Sequence, residues 1–293
     1  MNLRFRRGSW HAIRVHSAKR DPQYRATMQI LLLNPNTSAD LTARMEETAR
    51  TALPAGAGLD TVTAPRGFPY ISTRPEALVA GAIVLEMLAA TPAAPDAAII
   101  AAFGDPGTRA ARELFPFPVI GVAEAAMHSA AMLGDRFAIV GFTPRMRDWY
   151  LDCVQEVGLE RRFAGFRAPA RRFERIGSVQ SDLREALLEC IEACHRQDGA
   201  DVVITAGAPL TGFADSVQGT AGPLLVDPVV AAVQQAVAIA TLRARDPGAQ
   251  GRRCAPKASD GLAPALAARF AQAEVPCAFP PPLRSASANR PPQ

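Results

Sequence analysis

The sequence predicts an α/β protein of two similar lobes, each a parallel sheet flanked by helices. Three observations predict it. Apolar runs of strand length alternate with longer stretches whose apolar residues recur every three to four positions. One strand-loop-helix pattern opens both halves, as Leu31-Leu32-Leu33-Asn34-Pro35-Asn36-Thr37-Ser38 and again as Ile139-Val140-Gly141-Phe142-Thr143-Pro144. Two small-residue stretches, Ala101-Ala102-Phe103-Gly104-Asp105-Pro106-Gly107 and Thr205-Ala206-Gly207-Ala208-Pro209-Leu210, each follow an apolar run and lie about one hundred residues apart.

The runs that read as buried strands are Ile30 to Leu33, Leu59 to Thr63, Ala97 to Phe103, Val119 to Val122, Phe137 to Phe142, Val202 to Thr205 and Leu224 to Val226. Helical spacing marks Ser38 to Ala52, Pro75 to Ala90, Glu124 to Leu133, Arg145 to Val157, Val179 to Arg196 and Pro228 to Leu242. Ser38 suits an N-cap, where its hydroxyl accepts from the first turn, and Pro144 and Pro228 suit first-turn positions that need no N–H donor. Ligands of open α/β sheets bind outside the carboxyl ends of the strands. The loops beginning at Asn34, Phe103, Thr143 and Gly207 therefore converge on one cleft, the expected site.

A chain of 293 residues, 48% hydrophobic and 20% charged, holds enough apolar material for two modest cores. Its net charge of +4 is unevenly placed: residues 1 to 27 carry +6 and residues 246 to 293 carry +3, which leaves −5 between them. Basic character confined to the ends, without a basic groove, argues against a nucleic-acid partner. No apolar stretch is long and uninterrupted enough to span a membrane, and no signal-peptide core opens the chain, so a soluble cytoplasmic protein is expected. Five cysteines without framework spacing read as reduced thiols. Residues 1 to 27 read as a disordered basic extension, with Met28 as the natural start. Residues 28 to 124 with 212 to 245 form the expected first lobe, and residues 125 to 211 the second. The Pro/Ala-rich residues 246 to 293 read as a mostly disordered tail around one short helix near Leu262 to Ala273.

The motifs Asn34-Pro35-Asn36-Thr37-Ser38, Ala102-Phe103-Gly104-Asp105-Pro106-Gly107 and Pro118-Val119-Ile120-Gly121-Val122-Ala123-Glu124-Ala125-Ala126, in that order, resemble the hydantoin and allantoin racemase branch of the aspartate/glutamate racemase superfamily. The similarity covers roughly residues 28 to 242. It implies two pseudo-symmetric Rossmann-like lobes around a cleft that needs no cofactor, and inversion at a carbon beside a carbonyl. It also implies a pair of cysteines on opposite faces of the substrate. This chain departs from that pattern, with Ala102 and Gly207 at the two positions.

A thiol serves such chemistry because it is a base before proton transfer and an acid after it. Ala102 and Gly207 are neither, so the proton falls to another group. Asp105 and Glu124 are the first candidates; Asp227, and His128 one turn beyond Glu124, follow. Each also reads as an ordinary structural residue, since Asp105, Glu124 and Asp227 all suit helix starts. Substrate contacts are expected from Asn34, Asn36, Thr37 and Thr143, and from the backbone at Ala102, Phe103, Gly104, Gly207 and Ala208, where small residues let N–H groups approach an oxyanion. Arg74 reads either as a carboxylate partner or as a solvated arginine. Cys190, Cys194 and His195 share a helix but lack further metal ligands, and Cys153 reads as packing. No phosphate loop or dinucleotide fingerprint occurs, and no cofactor or metal is expected. The functional expectation is a small-molecule isomerase, with a lyase of the same fold or a silent binding protein as alternatives, and with homo-oligomerisation as an open possibility.

Overall fold

Eight strands assemble into two separate sheets of four. In the first, β1 (Gln29–Asn34), β2 (Gly58–Thr63), β3 (Ala97–Ile100) and β4 (Val119–Gly121) lie in the order β2-β1-β3-β4. In the second, β5 (Phe137–Val140), β6 (Phe163–Arg167), β7 (Val202–Thr205) and β8 (Leu224–Val226) repeat that order as β6-β5-β7-β8. Every neighbouring pair is parallel. The computed structural model describes residues 28–217, 219, 222–245 and 254–272. The basic extension of residues 1 to 27, and the tail apart from 254–272, lie outside the described residues.

Nine helices connect and cover the sheets among the described residues: α1 (Ala39–Ala52), α2 (Arg74–Ala89), α3 (Thr108–Leu114), α4 (Val122–Leu133), α5 (Arg147–Glu156), α6 (Val179–Arg196), α7 (Phe213–Ser216), α8 (Pro228–Ala244) and α9 (Pro264–Gln272). The alternation of β1 shows why it is buried on both faces. Ile30 and Leu32 join Leu41 and Met45 of α1 and Ala232 and Val233 of α8 in one core. Leu31 and Leu33 point the other way, to Ile83 and Val84 of α2 and Ala111 and Leu114 of α3. Local caps set the helix starts. Ser38 Oγ accepts from Leu41 N at 3.3 Å, and Thr73 with Glu76 forms a capping box at α2.

Two helices cross over. After β4, α4 packs on β7, β5 and β8 of the second sheet, and after β8, α8 packs on β3, β4 and β1 of the first. The two also pack against one another. Only part of the returning segment expected in the first lobe goes there: α8 does, whereas β8 pairs with β7 in the second sheet. The cause is local, because Leu224 to Val226 extends the ladder beside Val202 to Ile204 before Asp227-Pro228 starts the crossing helix. The short helix expected near Leu262 to Ala273 is α9. Helix α9 packs on α2, with Leu266 buried and Arg269 lying over the Phe115 ring. No helix among the described residues is long and apolar enough to cross a membrane.

Candidate functional site

Corresponding strand ends from the two sheets meet at one cleft. Strand β3 stops at Ile100, earlier than its apolar run, and Ala101-Ala102-Phe103 leaves the ladder; β7 stops at Thr205 and Ala206-Gly207-Ala208 does the same. Ala102 and Gly207 thus each stand two residues past equivalent strands, and both line one cavity with Asn36, Tyr70, Ile71, Phe103, Phe142, Met146, Tyr150, Ala208 and Pro209. The cavity has about 320 Å³ of free space, part of it open to solvent. An adjoining chamber adds Met45, Ala101, Val122, Thr211, Pro228 and Val229, and shares Phe103, Gly207 and Ala208.

The Gly207 loop is fixed from outside. Gln180 donates to the carbonyls of Pro209 and Thr211 at 2.9 and 2.8 Å, and Arg44 reaches the carbonyls of Pro209 and Gly177 at 3.0 and 3.2 Å. Gly207 itself has φ +107°, a conformation L side chains rarely adopt. A Cβ there would stand 2.8 Å from the Phe142 ring. Beside that loop stands α5, whose Tyr150 ring packs across the cleft against Phe103 with centroids 4.6 Å apart. Trp149 closes over Gly104, leaving no room for a side chain at that position.

Of the expected contact residues, Asn36, Ala102, Phe103, Gly207 and Ala208 line the cavity. Asn34, Thr37, Gly104 and Thr143 do not line either chamber. Asn34 is fully buried and spent on the turn: its Nδ2 donates to Asn36 Oδ1 at 3.0 Å and Thr42 Oγ1 at 2.8 Å, and its Oδ1 accepts from Asn36 N at 3.1 Å. Thr37 N donates to the Phe68 carbonyl at 2.9 Å, Gly104 lies beneath Trp149, and Thr143 starts the short 3-10 turn Pro144–Met146.

The acidic candidates gather at the start of α4. Asp105, at φ +48°, accepts from Ala123 N and Glu124 N, both at 2.8 Å. Burial lifts its carboxyl to about 7, outweighing those two donors, which favour the charged form. Glu124 is paired with Arg112 and accepts from Gly121 N at 3.3 Å. Neither carboxylate lines the chambers. Asp227 is a cap in a second sense as well, accepting from Val229 N at 2.8 Å and from Gly212 N at 2.7 Å. His128 is exposed, and Arg74 pairs with Asp152 across the two lobes at 2.5 Å.

Among the described residues, the chamber walls carry no carboxylate, imidazole or thiol. Cys153 is buried, and burial pushes its thiol pKa far up, so it stays protonated. Among the described residues no three His, Cys, Asp or Glu side chains gather as a metal-binding set. His195 Nδ1 meets the Ala200 carbonyl at 2.9 Å, and Arg167 holds Asp198 at 2.6 Å beside the helix that carries Cys190 and Cys194. Sequence reasoning passed over Tyr150, Met146, Phe142, Tyr70 and Ile71 as lining residues. The available signal was the amphipathic stretch after Thr143, whose apolar side faces the cleft.

Known proteins share both the architecture and the sequence pattern. The profile of the family described as Asp/Glu/Hydantoin racemase matches residues 30–236. A hydantoin racemase of Paenarthrobacter aurescens is 32% identical over 217 residues, which cover 73% of this chain and 92% of the relative. The structure of an allantoin racemase from Klebsiella pneumoniae superposes with a TM-score of 0.70 at 29% identity, covering 74% of this chain and 89% of the other. That of an allantoin racemase from Pseudomonas fluorescens gives a TM-score of 0.69 at 28% identity, covering 73% and 92%. From its paired sheets, its shared cleft and this match, the chain belongs to the Asp/Glu/Hydantoin racemase family.

Proposed function

We propose that this chain is an isomerase that moves a proton at the carbon beside the carbonyl of a small hydantoin-type or amino-acid-derived compound, without a cofactor and without a thiol pair. The observation that carries the reading is the convergence of two equivalent strand ends, at Ala102 and Gly207, on one apolar cavity. A planar ring between them has a face toward each sheet. The proton leaves the α-carbon on one face to Asp105 through a water, its bonding pair passes to the carbonyl oxygen as an enolate, and a proton from solvent water returns on the other face as the enolate collapses. Small residues at both strand ends give the ring room for close approach. Asn36, Ala102, Phe103, Gly207 and Ala208 are its proposed contacts.

Asp105 is the proposed acid/base group, because a carboxyl brought to about 7 gives and takes protons near neutrality. It sits three residues beyond Ala102 and off the cavity wall, so the transfer runs through a water. Glu124, held by Arg112, positions the start of α4. Self-association belongs to the same proposal, with exposed Leu78, Met132, Leu133 and Leu242 as candidate contacts. The purified protein in deuterated buffer, mixed with 5-substituted hydantoins and allantoin, is expected to replace the C5 proton by deuterium faster than a protein-free blank. The Asp105→Asn variant is expected to slow that exchange at least tenfold.

One observation favours a second reading. Walls without an ionisable carboxylate, imidazole or thiol suit a binding protein that holds the same ligands without turnover. Saturable ligand shifts with exchange no faster than the blank would select it.

A further inference from the structure

Among the residues lining the cavity, Tyr150 carries a buried hydroxyl. Tyr150 is only 1% exposed, its ring held by Phe103, Trp149 and Phe166 with centroids 4.6, 5.8 and 5.9 Å away. Its hydroxyl donates to Met146 Sδ at 3.2 Å. A thioether is a weak acceptor, a poor return for a buried phenol. The same oxygen lies 3.6 Å from the point where a Cβ on Gly207 would stand, and Tyr150, Met146 and Gly207 all line the chamber. The Phe142 ring, 2.8 Å from that point, blocks a side chain from Gly207 itself. On this wall the polar contribution comes from α5 instead of from the strand end.

We infer that Tyr150 is a catalytic residue whose hydroxyl turns from Met146 to the substrate, donating a hydrogen bond to the carbonyl oxygen and holding it as the enolate forms. This rests on the isomerase reading above. The exchange of acceptors is favourable because an enolate oxygen is charged and sulfur is weak. Three aromatic neighbours fix the donor before the substrate arrives, so little reorganisation is needed when charge develops. Burial raises the phenol pKa well beyond its ordinary value, which keeps it a donor and not a base. No proton leaves Tyr150 in this step.

The test uses the whole protein carrying 13Cζ-labelled tyrosine, of which the chain has three residues, with the Tyr150→Phe variant assigning the Tyr150 resonance. On titration with 5-benzylhydantoin, the Tyr150 signal is expected to move saturably. In Tyr150→Phe, which retains the packed ring, C5 exchange is expected to fall about a hundredfold with KM changed less than about threefold. Slow hydrogen exchange of the β1 and β5 amides in the free variant reports an intact fold. Binding seen at other signals with a silent Tyr150 resonance overturns this assignment and leaves the isomerase reading standing, as does a variant that exchanges at the wild-type rate. Absence of saturable binding by any hydantoin overturns the isomerase reading, and this assignment with it. Should the variant not fold, Tyr24→Phe and Tyr70→Phe assign the Tyr150 resonance by elimination, and the wild-type titration then decides.

Discussion

At position 207 any side chain meets two obstacles, a positive φ and the Phe142 ring. A left-handed conformation costs an L residue roughly 1–2 kcal/mol, and overpacking adds about 1–3 kcal/mol. Gly207→Cys is therefore expected to lower unfolding free energy by about 2–4 kcal/mol in urea melts. Ala102→Cys adds one sulfur to a cavity-lining position that already carries a Cβ, and is expected to change stability by less than about 1.5 kcal/mol. The two positions look interchangeable as sequence, yet only one has space for the group it lacks. Placing a thiol at both positions thus requires a smaller residue at Phe142 as well, and the doubly substituted Ala102→Cys, Gly207→Cys chain is expected to be less stable than wild type.

Most elements were legible because their chemistry is local. Ser38 and Asp227 announce helix starts, and Ile30 to Leu33 reads as a strand because both of its faces are buried. Three elements escaped that reading. Strand β6 is an edge strand whose residues are all half-buried, so neither face alternates with the other, and α3 with seven residues and α7 with four span two turns or fewer, too short to separate a helical repeat from chance. In the site, Ala102 and Gly207 were singled out by the resemblance, whereas the apolar run alone reads as strand through Phe103 and β3 ends at Ile100. Tyr150 was not legible, since its position depends on how α5 lies against Phe103, a contact 47 residues apart in sequence. Helix α9 shows the same dependence. Its anchor, Leu266, is 5% exposed beneath α2. Leu266→Ala is expected to release α9 locally, weakening its docking on the order of 1–3 kcal/mol. Hydrogen exchange of residues 264–272 should then speed up at least tenfold while β1 amides stay protected.

Across the whole molecule, Asp105 ties stability to pH. Its carboxyl binds a proton more readily in the folded chain than in the unfolded one, about 7 against an ordinary 3.8. The stability it contributes is fully present below pH 3.8 and is lost as pH rises through 7. Asp105→Asn removes that titration. Wild-type stability relative to the variant is therefore expected to fall by roughly 3–4 kcal/mol between pH 4 and pH 7.5, read from urea melts at both ends of that range. A flat difference would show that the two N–H donors of α4 balance the burial of the carboxyl.

The crossing of α4 and α8 has a kinematic consequence. The chain passes between the sheets around Val122 and around Pro228, and both residues border the cavity. Two bodies tethered at two points keep a single rotation, about the line joining the tethers. That line runs along the floor of the ligand chamber, with a carboxylate at each bearing: Asp105 on the first turn of α4 and Asp227 on that of α8. The Arg74–Asp152 pair spans the lobes away from those tethers, acting as a latch. A cleft hung this way is expected to open, where it opens, on the side of the Arg74–Asp152 pair.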